Sequence, residues 1–395
     1  MNPDGALAGI RVIEAGLHVQ GPQAAATLGD WGADVIKVEL PGFGDQSRWL
    51  PVAEGESRSA YFIACNRGKR SVTLDLRVPD GRDIFLRLAA TADVIITNFK
   101  PGTMESWGLG YAEVSARNPR VVYASGSTYG TQGPDAGREG ADLSGQASGG
   151  LISTTGRPGG EPTPVGAVVA DHIAAQNLVG GIVAALYARE RSGRGQHVET
   201  SLLGGQIWAQ ASEYTAHLLT GRPAGPANRG SPMIPGLYGI FPTADGWIAI
   251  VGVVGPARTV FYETIGRPEL ADQFPEPLYW ADTKSRLFPI LDDVFRTRTT
   301  SAWSDVLRAA GLRFAPVRTH TDVIADPAVW DNGYLATVDG PAGEERVVAA
   351  PVRFSDTPAR PSVFAPELGQ HTEEVLLEAG LSWDEISALR DSGSI

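Results

Sequence analysis

Asp171 is the residue whose chemical type and position best suit catalysis. It stands at the start of the longest helical stretch, residues 170–191, directly after the apolar run 165–170. A carboxylate at this point can cap the helix and interact favourably with its macrodipole, which is the usual reason for such an aspartate. It can also serve as a nucleophile that a helix holds and that apolar neighbours shield from water. The spacing of the sequence does not choose between these two roles.

Polar loops at the ends of predicted strands are the candidate binding residues. His18 and Gln20 follow the first strand, and residues 98–102 and 126–130 follow two later ones. In an open α/β sheet the ligand lies in the crevice beyond the carboxyl ends of the strands. Each loop alone has the composition of an ordinary turn, but three loops at corresponding strand ends predict a binding crevice.

Several other mechanisms have sequence signatures that this chain lacks. It contains no G-x-x-x-x-G-K-[ST] phosphate loop, no H-E-x-x-H or C-x-x-C metal spacing and no G-x-S-x-G nucleophile elbow. The first strand is not followed by G-x-G-x-x-G, so a dinucleotide site is unsupported. The single cysteine, Cys65, excludes a disulfide framework and any zinc site built from cysteines. We therefore expect no metal site and no prosthetic group.

The elements that must position these residues alternate between strand and helix. Strands are predicted at 10–14, 33–40, 93–97 and 120–124, helices at 22–31, 81–91 and 170–191, and a strand leading into a helix at 196–203. Alternation of this kind implies right-handed βαβ crossovers and a mostly parallel, covered sheet.

The texture of the sequence changes near residue 221. A stretch rich in glycine and proline leads to a predicted hairpin over 238–254, turned at Asp245-Gly246, and then to a predicted helix over 286–311. Short strands follow from Val338, and an amphipathic helix is predicted over 372–389. This pattern predicts a large domain in residues 1–220, a small domain with linkers in 221–325, and a C-terminal part, 326–395, that returns to the large domain.

Composition limits the partners of this 395-residue chain. The 45 acidic residues outnumber 33 Lys and Arg, giving a net charge of −12, which argues against binding nucleic acid or an anionic membrane. The N-terminus lacks a signal-peptide pattern, and the apolar runs are shorter than the ~20 residues of a membrane span. We therefore expect a cytoplasmic enzyme. Lys37, Lys69 and Lys100 nevertheless form a local basic group that could hold one polyanionic small molecule, although a solvated surface patch is the simpler interpretation.

The chain resembles the class III CoA-transferases, or CaiB/BaiF family, which includes formyl-CoA transferase, carnitine CoA-transferases and α-methylacyl-CoA racemases. The motifs that carry the resemblance occur in the family's order across nearly the whole chain, at 7–14, 32–39, 66–76, 93–102, 191–196, 244–246, 315–317 and 350–355. The resemblance implies a Rossmann-like large domain with a mostly parallel sheet built from both chain ends, and a smaller α/β domain from the middle. It also implies a homodimer of two interlocked chains.

By the same resemblance, Asp171 matches the catalytic aspartate. In the transferases this residue forms a mixed anhydride with the acyl group of an acyl-CoA and then an aspartyl-CoA thioester, so acyl-CoA and a carboxylic acid are the implied partners and CoA is a substrate. The implied CoA-binding residues are Val19, Gln20, Leu74, Arg77, Asn98, Phe99 and Asp142. Lys69 and Arg70 are added as phosphate partners because of their charge.

One departure from the family pattern bears on the reaction. The racemases carry a catalytic histidine before the aspartate that matches Asp142, whereas this chain has Ala141. Half of a two-base proton exchange is therefore missing, which favours a transferase over a racemase. A racemase or epimerase with another base, and a catalytically silent CoA-binding protein, remain alternatives. The region Gly230-Ser231-Pro232 is a candidate lid over the site.

Overall fold

The computed structural model describes residues 4–51, 53–234, 236–276, 278, 283–341, 343–361 and 363–395. Their contacts divide the chain into two compact units. Unit 1 comprises Met1–Gly149, Gly166–Ala209 and Pro327–Ile395, and unit 2 comprises Gly150–Val165 and Gln210–Asp326. The predicted domain boundaries near residues 220 and 325 stay a prediction.

Unit 1 is built on a six-stranded, wholly parallel sheet in the order β3-β2-β1-β4-β5-β6. The strands are β1 (Arg11–Ala15), β2 (Asp34–Glu39), β3 (Arg70–Thr73), β4 (Val94–Thr97), β5 (Val122–Ser127) and β6 (His197–Ser201). The β-branched residues at the centres of β1 and β4 are fully buried, as expected for strands covered by helices on both faces. The prediction of an α/β fold with a mostly parallel sheet is confirmed.

The helices, in chain order, are α1 (Gln20–Asp30), α2 (Ala60–Asn66), α3 (Pro79–Ala89), α4 (Thr103–Ser106), α5 (Tyr111–Arg117), α6 (Asp142–Ser148), α7 (Leu151–Thr154), α8 (Val169–Ser192), α9 (Leu202–Ala209), α10 (Ala211–Thr220), α11 (Pro256–Thr264), α12 (Leu270–Gln273), α13 (Phe288–Phe295), α14 (Thr300–Ala309), α15 (His320–Ile324), α16 (Pro327–Asp331), α17 (Thr372–Glu378) and α18 (Trp383–Asp391). A 3₁₀ turn covers Gln46–Trp49 and a π turn covers Thr283–Leu287.

The parallel sheet carries one apolar core on each face. On one face, Leu28 of α1 and Leu178 and Ile182 of α8 pack against alternate residues of the central strands. On the other face, Phe85 of α3 and Leu376 of α17 take part in the second core. The C-terminal segment therefore covers strands formed by the first hundred residues.

The helix α8 spans 24 residues and, by length and composition, is apolar enough to cross a membrane. It is longer than the apolar runs expected from the sequence. On one face of the helix, Ala174, Ala175, Leu178 and Ile182 are fully buried within unit 1, whereas Val183 and Tyr187 on the other face are exposed.

Unit 2 contains a three-stranded antiparallel sheet formed by β7 (Leu237–Pro242), β8 (Trp247–Val253) and β9 (Phe314–Pro316). The predicted hairpin at Asp245-Gly246 is confirmed, since β7 and β8 pair directly. In its core Phe241 stacks on Phe295, and Trp303 meets Phe295 edge to face. The indole N–H of Trp303 donates to the carbonyl of Phe295 at 2.7 Å.

Two predicted helices are each divided in the structure. The segment 286–311 contains α13 and α14, because the Thr299 side chain accepts a hydrogen bond from the backbone N–H of Ala302 and starts a new helix. The segment 372–389 contains α17 and α18, because Gly380 has a positive φ of 83° and Ser382 caps the helix that follows. The strands β10 (Leu335–Gly340) and β11 (Gly343–Val348) form a separate hairpin in unit 1.

Candidate active site

A cavity of about 630 Å³ opens at the carboxyl ends of the strands in unit 1. It lies where the chain order of the sheet reverses, between β1 and β4, and this is the point at which open α/β sheets bind ligands. Loops that follow β1, β4 and β5 line it, together with the starts of α6, α8 and α9. The crevice predicted from the strand ends is therefore present.

The loop after β1 is held in place by Asn98, which follows β4. The side-chain oxygen of Asn98 accepts from the Leu17 N–H, and its amide donates to the Leu17 carbonyl, both at 2.8 Å. His18 then adopts a positive φ of 62°, which is uncommon for a residue with a side chain. This conformation points the backbone N–H of His18 at Asp45, whose carboxylate accepts it at 3.1 Å.

A buried ionic cluster supports the same loop from below. The ammonium of Lys37 contacts Glu14 at 3.1 Å and Asp45 at 2.9 Å, and it donates to the Gly16 carbonyl at 3.1 Å. Burial alone would lower the pKa of Lys37, but the carboxylates of Asp45, Glu14 and Glu39 outweigh it and raise the pKa above its ordinary value. The cluster is therefore a set of fully enclosed charges that stabilise one another.

The carboxylate of Asp171 faces the cavity from the first turn of α8. Within the described part of the chain, no group donates a hydrogen bond to this carboxylate. Burial, together with the negative charge of Asp142, raises the pKa of Asp171 to about 7. Asp171 is not the helix cap, because it lies two residues inside the helix that begins at Val169.

Asp142 does the capping instead, from the start of α6. One of its oxygens accepts from the backbone N–H groups of Ala170 at 2.7 Å and Asp171 at 3.2 Å. Its other oxygen accepts from the side-chain amide of Gln146 at 2.6 Å. The structure therefore separates the two roles that the sequence left open for Asp171, since a second aspartate provides the cap.

The remaining walls of the cavity are apolar on one side and cationic at the rim. Phe99 and Trp107 pack edge to face with their ring centroids 5.3 Å apart. Lys100 is half-exposed and lies 3.6 Å from Glu139. The exposed Arg138 lies over the ring of Tyr129 and pairs with Asp135 at 2.8 Å. Such a wall can accept an apolar chain while the rim attracts an anionic group.

The structure brings together six of the residues predicted from the sequence. Val19, Gln20, Asn98, Phe99, Asp142 and Asp171 all line the cavity. Four others, Lys69, Arg70, Leu74 and Arg77, lie outside it.

These four residues have other surroundings that explain why they do not reach the cavity. Lys69 is fully buried and donates to Glu14, Asn66 and the Pro22 carbonyl, so it is enclosed instead of free to meet a phosphate. This corrects its assignment as a phosphate partner, and burial lowers the pKa of Lys69 to about 8 although Glu14 opposes the shift.

Arg70, Leu74 and Arg77 also serve the fold. The guanidinium of Arg70 pairs with Asp34, Glu374 and Glu378, and the exposed Arg77 pairs with Asp75. Leu74 is buried in the core beneath α3. The charge-based choice of Arg70 as a phosphate partner is therefore not supported by its surroundings.

Two features of the site were outside the sequence prediction. One is the role of Asp45 and Lys37 beneath the first loop, and the other is Arg138 at the rim, beside the Lys100 that the sequence had placed in a local basic group. A signal for the first exists: Lys37 lies between Ile36 and Val38 in a strand, and a charge within a buried parallel strand must be paired.

Replacing Asn98 by alanine is expected to raise the KM for the acyl-CoA substrate that the sequence resemblance implies by about tenfold, with a smaller effect on kcat. The change leaves both backbone groups of Leu17 without a partner, which costs about 1–2 kcal/mol and loosens the loop that lines the cavity. Steady-state kinetics and thermal unfolding measure the two effects.

Asn118→Ala is the matched control for this prediction. The Asn118 amide also bridges two backbone groups, the carbonyls of Ala89 and Ala92, but it lies at the opposite end of the sheet. We expect a similar loss of stability with an unchanged KM. If both variants change the KM equally, the loop does not depend on Asn98.

Comparison with known proteins identifies the family. The sequence model of CoA-transferase family III matches residues 7–372. The chain belongs to CoA-transferase family III. The resemblance found in the sequence motifs is therefore confirmed.

Individual CoA-transferases match over nearly their whole length. The succinate–glutarate CoA-transferase of Agrobacterium fabrum is 36% identical over 94% of this chain and 95% of its own. The succinyl-CoA:mesaconate CoA-transferase of Haloarcula hispanica is 34% identical over 95% of this chain and 97% of its own. A crystal structure of a CaiB/BaiF family protein from Brucella suis superposes with a TM-score of 0.83 at 34% identity, covering 95% of this chain and 99% of that one.

Family III membership makes CoA transfer the activity expected of this chain. The related family III enzymes are named for moving CoA between carboxylic acids, so CoA is their substrate and not a resident cofactor. Among the residues that the structure describes, no three His, Cys, Asp or Glu side chains are grouped so as to hold a metal ion.

Proposed function

We propose that this protein is an acyl-CoA:carboxylate CoA-transferase in which Asp171 is the nucleophile. The observation that carries the proposal is the Asp171 carboxylate, which faces the cavity without a hydrogen-bond donor from the described residues. A carboxylate that no donor stabilises is more basic and more nucleophilic than a solvated one, and the raised pKa of Asp171 agrees with this.

The reaction proceeds in two mirrored halves. An oxygen of Asp171 attacks the thioester carbonyl of the donor acyl-CoA, the C–S bond breaks, and CoA leaves as the thiolate while a mixed anhydride forms. The thiolate then attacks the Asp171 carbonyl carbon, which releases the donor carboxylate and leaves an aspartyl-CoA thioester. The acceptor carboxylate attacks that thioester in the same way, and the returning thiolate takes the acceptor acyl group and frees Asp171. No redox equivalent or net proton is needed.

The cavity residues have separate roles in this proposal. Phe99 and the loop residues Val19 and Gln20 hold the arm of CoA, and Asn98 fixes the loop that carries them. Lys100 and Arg138 at the rim form exposed pairs with Glu139 and Asp135, and in this proposal they exchange these weak surface pairs for the CoA phosphates. The helix α8 orients Asp171, whose half-buried position limits the access of water to the anhydride.

The two alternative functions are not favoured. Ala141, which stands where a racemase has its histidine, brings no titratable group to the cavity, and the relatives in hand are named as CoA-transferases and not as racemases. Burying a carboxylate such as that of Asp171, which accepts no hydrogen bond from the described residues, is unfavourable. A catalytically silent protein would have no use for such a group in its binding cavity.

Dicarboxylic acids are the first substrate class to test. The related enzymes from Agrobacterium fabrum and Haloarcula hispanica are named for succinate with glutarate and for succinyl-CoA with mesaconate. The assay incubates the enzyme with succinyl-CoA and a panel of acids, including glutarate, mesaconate and monocarboxylates, and follows new acyl-CoA by chromatography. Acceptor-dependent formation of a new acyl-CoA supports the proposal.

The same reactions run in deuterium oxide separate transfer from racemisation. Deuterium at the α-carbon of a chiral 2-methylacyl-CoA, with no acceptor acid present, would identify a racemase and contradict the proposal. The interlocked homodimer, the cytoplasmic location and the lid at Gly230-Ser231-Pro232 stay proposals drawn from the sequence.

A further inference from the structure

The carboxylate of Asp142 occupies the donors at the start of α8 that a helix normally offers to an anion. It accepts from the N–H groups of Ala170 and Asp171, while Val169 and His172 donate to the carbonyls of Ala167 and Val168. The first turn of the helix is therefore fully engaged. Asp171 lies only two residues after the helix start, yet no N–H group of that turn is left to stabilise its carboxylate.

Asp142 is itself fixed from a second direction. Its remaining oxygen accepts from the side-chain amide of Gln146, which lies one turn further along α6 and also donates to the Ala167 carbonyl at 3.2 Å. Asp142 is buried, with 9% of its surface exposed. A negative charge is thus held at a constant position beside the carboxylate that faces the cavity.

We propose that Asp142 is a positioning residue that keeps the free Asp171 carboxylate reactive by taking the helix-end donors and by placing a second negative charge beside it. The inference rests on the proposed function of Asp171. It replaces the sequence-based role of Asp142 as a CoA contact, since both of its oxygens are occupied by groups of its own chain.

The consequence for the reaction follows from the change of charge at Asp171. The free carboxylate is repelled by Asp142, whereas the anhydride and the aspartyl-CoA thioester are neutral at that position and are not repelled. The covalent intermediates are therefore favoured relative to the free enzyme. Burial of Asp171 and repulsion by Asp142 both raise the pKa of Asp171.

Other charged groups near Asp171 are few. His172 follows it on α8, and α9, which packs beside the start of α8, carries no titratable residue. Besides Asp142 and Asp171, the charged or titratable residues that line the cavity are His18, Tyr61, Lys100, Arg138 and Glu139. Glu139 is 85% exposed at its side chain and paired with Lys100, so its charge is screened by solvent.

The test compares the pH profile of kcat/KM for the acyl-CoA donor, which reports the free enzyme, in Asp142→Asn and the parent protein. The variant retains a cap acceptor and removes the charge. We expect its acid limb to move to lower pH by about one unit and its plateau above pH 8 to fall by roughly 3–10-fold, because Asp171 becomes a weaker base. The two profiles then approach or cross near pH 6.

Two further variants make the result unambiguous. Asp142→Ser supplies a different neutral cap and should show the same displaced limb if the asparagine variant folds poorly. Glu139→Gln removes an exposed cavity charge and should leave the acid limb at its original pH.

An unchanged profile in both neutral variants, or a uniform loss at every pH, would overturn the role of Asp142 while leaving the proposed transferase intact. Asp171→Asn tests that function separately. If Asp171→Asn retained transfer, the proposed function and this inference would both be wrong.

Discussion

Asp171→Asn is expected to reduce CoA transfer by at least about 10³-fold, because the amide oxygen is a poor nucleophile and no anhydride can form. The loss should appear in kcat with any acyl donor, since the same residue acts in both halves of the reaction. Asn is nearly isosteric with Asp, and the backbone N–H of Asp171 retains its contact to Asp142. Binding of CoA should therefore persist, which titration calorimetry can measure. Transfer at the parent rate would remove Asp171 from the mechanism.

The same variant is expected to be more stable than the parent at pH 8. The pKa of Asp171 is about 7 in the folded protein, because of burial and the charge of Asp142, against 3.8 as its ordinary value. The unfolded chain thus loses this proton at a lower pH than the folded protein does. The ionised carboxylate costs stability increasingly as the pH rises from about 4 to 7, and the cost is constant above 7.

Thermal unfolding at several pH values measures this effect. The gain of Asp171→Asn in Tm should be small at pH 4, grow between pH 4 and 7, and reach roughly 2 °C or more at pH 8. Asp83→Asn, which neutralises an exposed carboxylate on α3, serves as the control and should show no such growth. A gain that shrinks with rising pH would contradict the raised pKa.

Lys37→Met is expected to be the most destabilising single change in the cluster beneath the site. The variant leaves Asp45 buried without its cation and removes one of the two lysines that contact Glu14. Removing one partner of a buried ion pair costs about 3–5 kcal/mol, which corresponds to a fall in Tm of roughly 10 °C. The loss should be accompanied by a higher KM for acyl-CoA, since Asp45 also accepts the His18 N–H.

Arg82→Met is the matched control for Lys37→Met. Arg82 forms an exposed pair with Asp83 in the same unit, and exposed pairs contribute at most about 1 kcal/mol. Its Tm should remain within about 2 °C of the parent protein. If Lys37→Met unfolds at the same temperature as Arg82→Met, the buried charges do not stabilise unit 1.

Local pattern was sufficient to predict most of the parallel sheet. A window of about a dozen residues was enough to recognise the apolar strands at Val12-Ile13 and Ile95-Ile96 and the long helix that contains Asp171. The strand β3 was harder, because its four residues Arg70–Thr73 are mostly polar and lie at the edge of the sheet. The helix breaks at Thr299 and Gly380 were not predicted. A threonine or a glycine can also stand inside a helix, and it ends or starts one only where the folded chain turns.

The chemistry of the site depends on contacts that are distant in the sequence. Asp142 and Asp171 are separated by 29 residues, and Asn98 meets Leu17 across 81. No spacing rule links such pairs, so the cap on α8 could not be inferred. Lys69 was chosen as a phosphate partner from its charge alone. The sequence does not distinguish a lysine that faces a phosphate from one that is buried with a carboxylate, as Lys69 is with Glu14.

Mass spectrometry of the covalent intermediate tests the central claim most directly. The enzyme is mixed with succinyl-CoA or another active donor without an acceptor acid, quenched in acid and digested. The peptide that contains Asp171 should carry CoA through a thioester, and hydroxylamine should release the CoA and leave a hydroxamate on Asp171. The adduct should be absent from Asp171→Asn. Transfer that proceeds with no adduct on Asp171, or with CoA attached to another residue, would contradict the proposed mechanism.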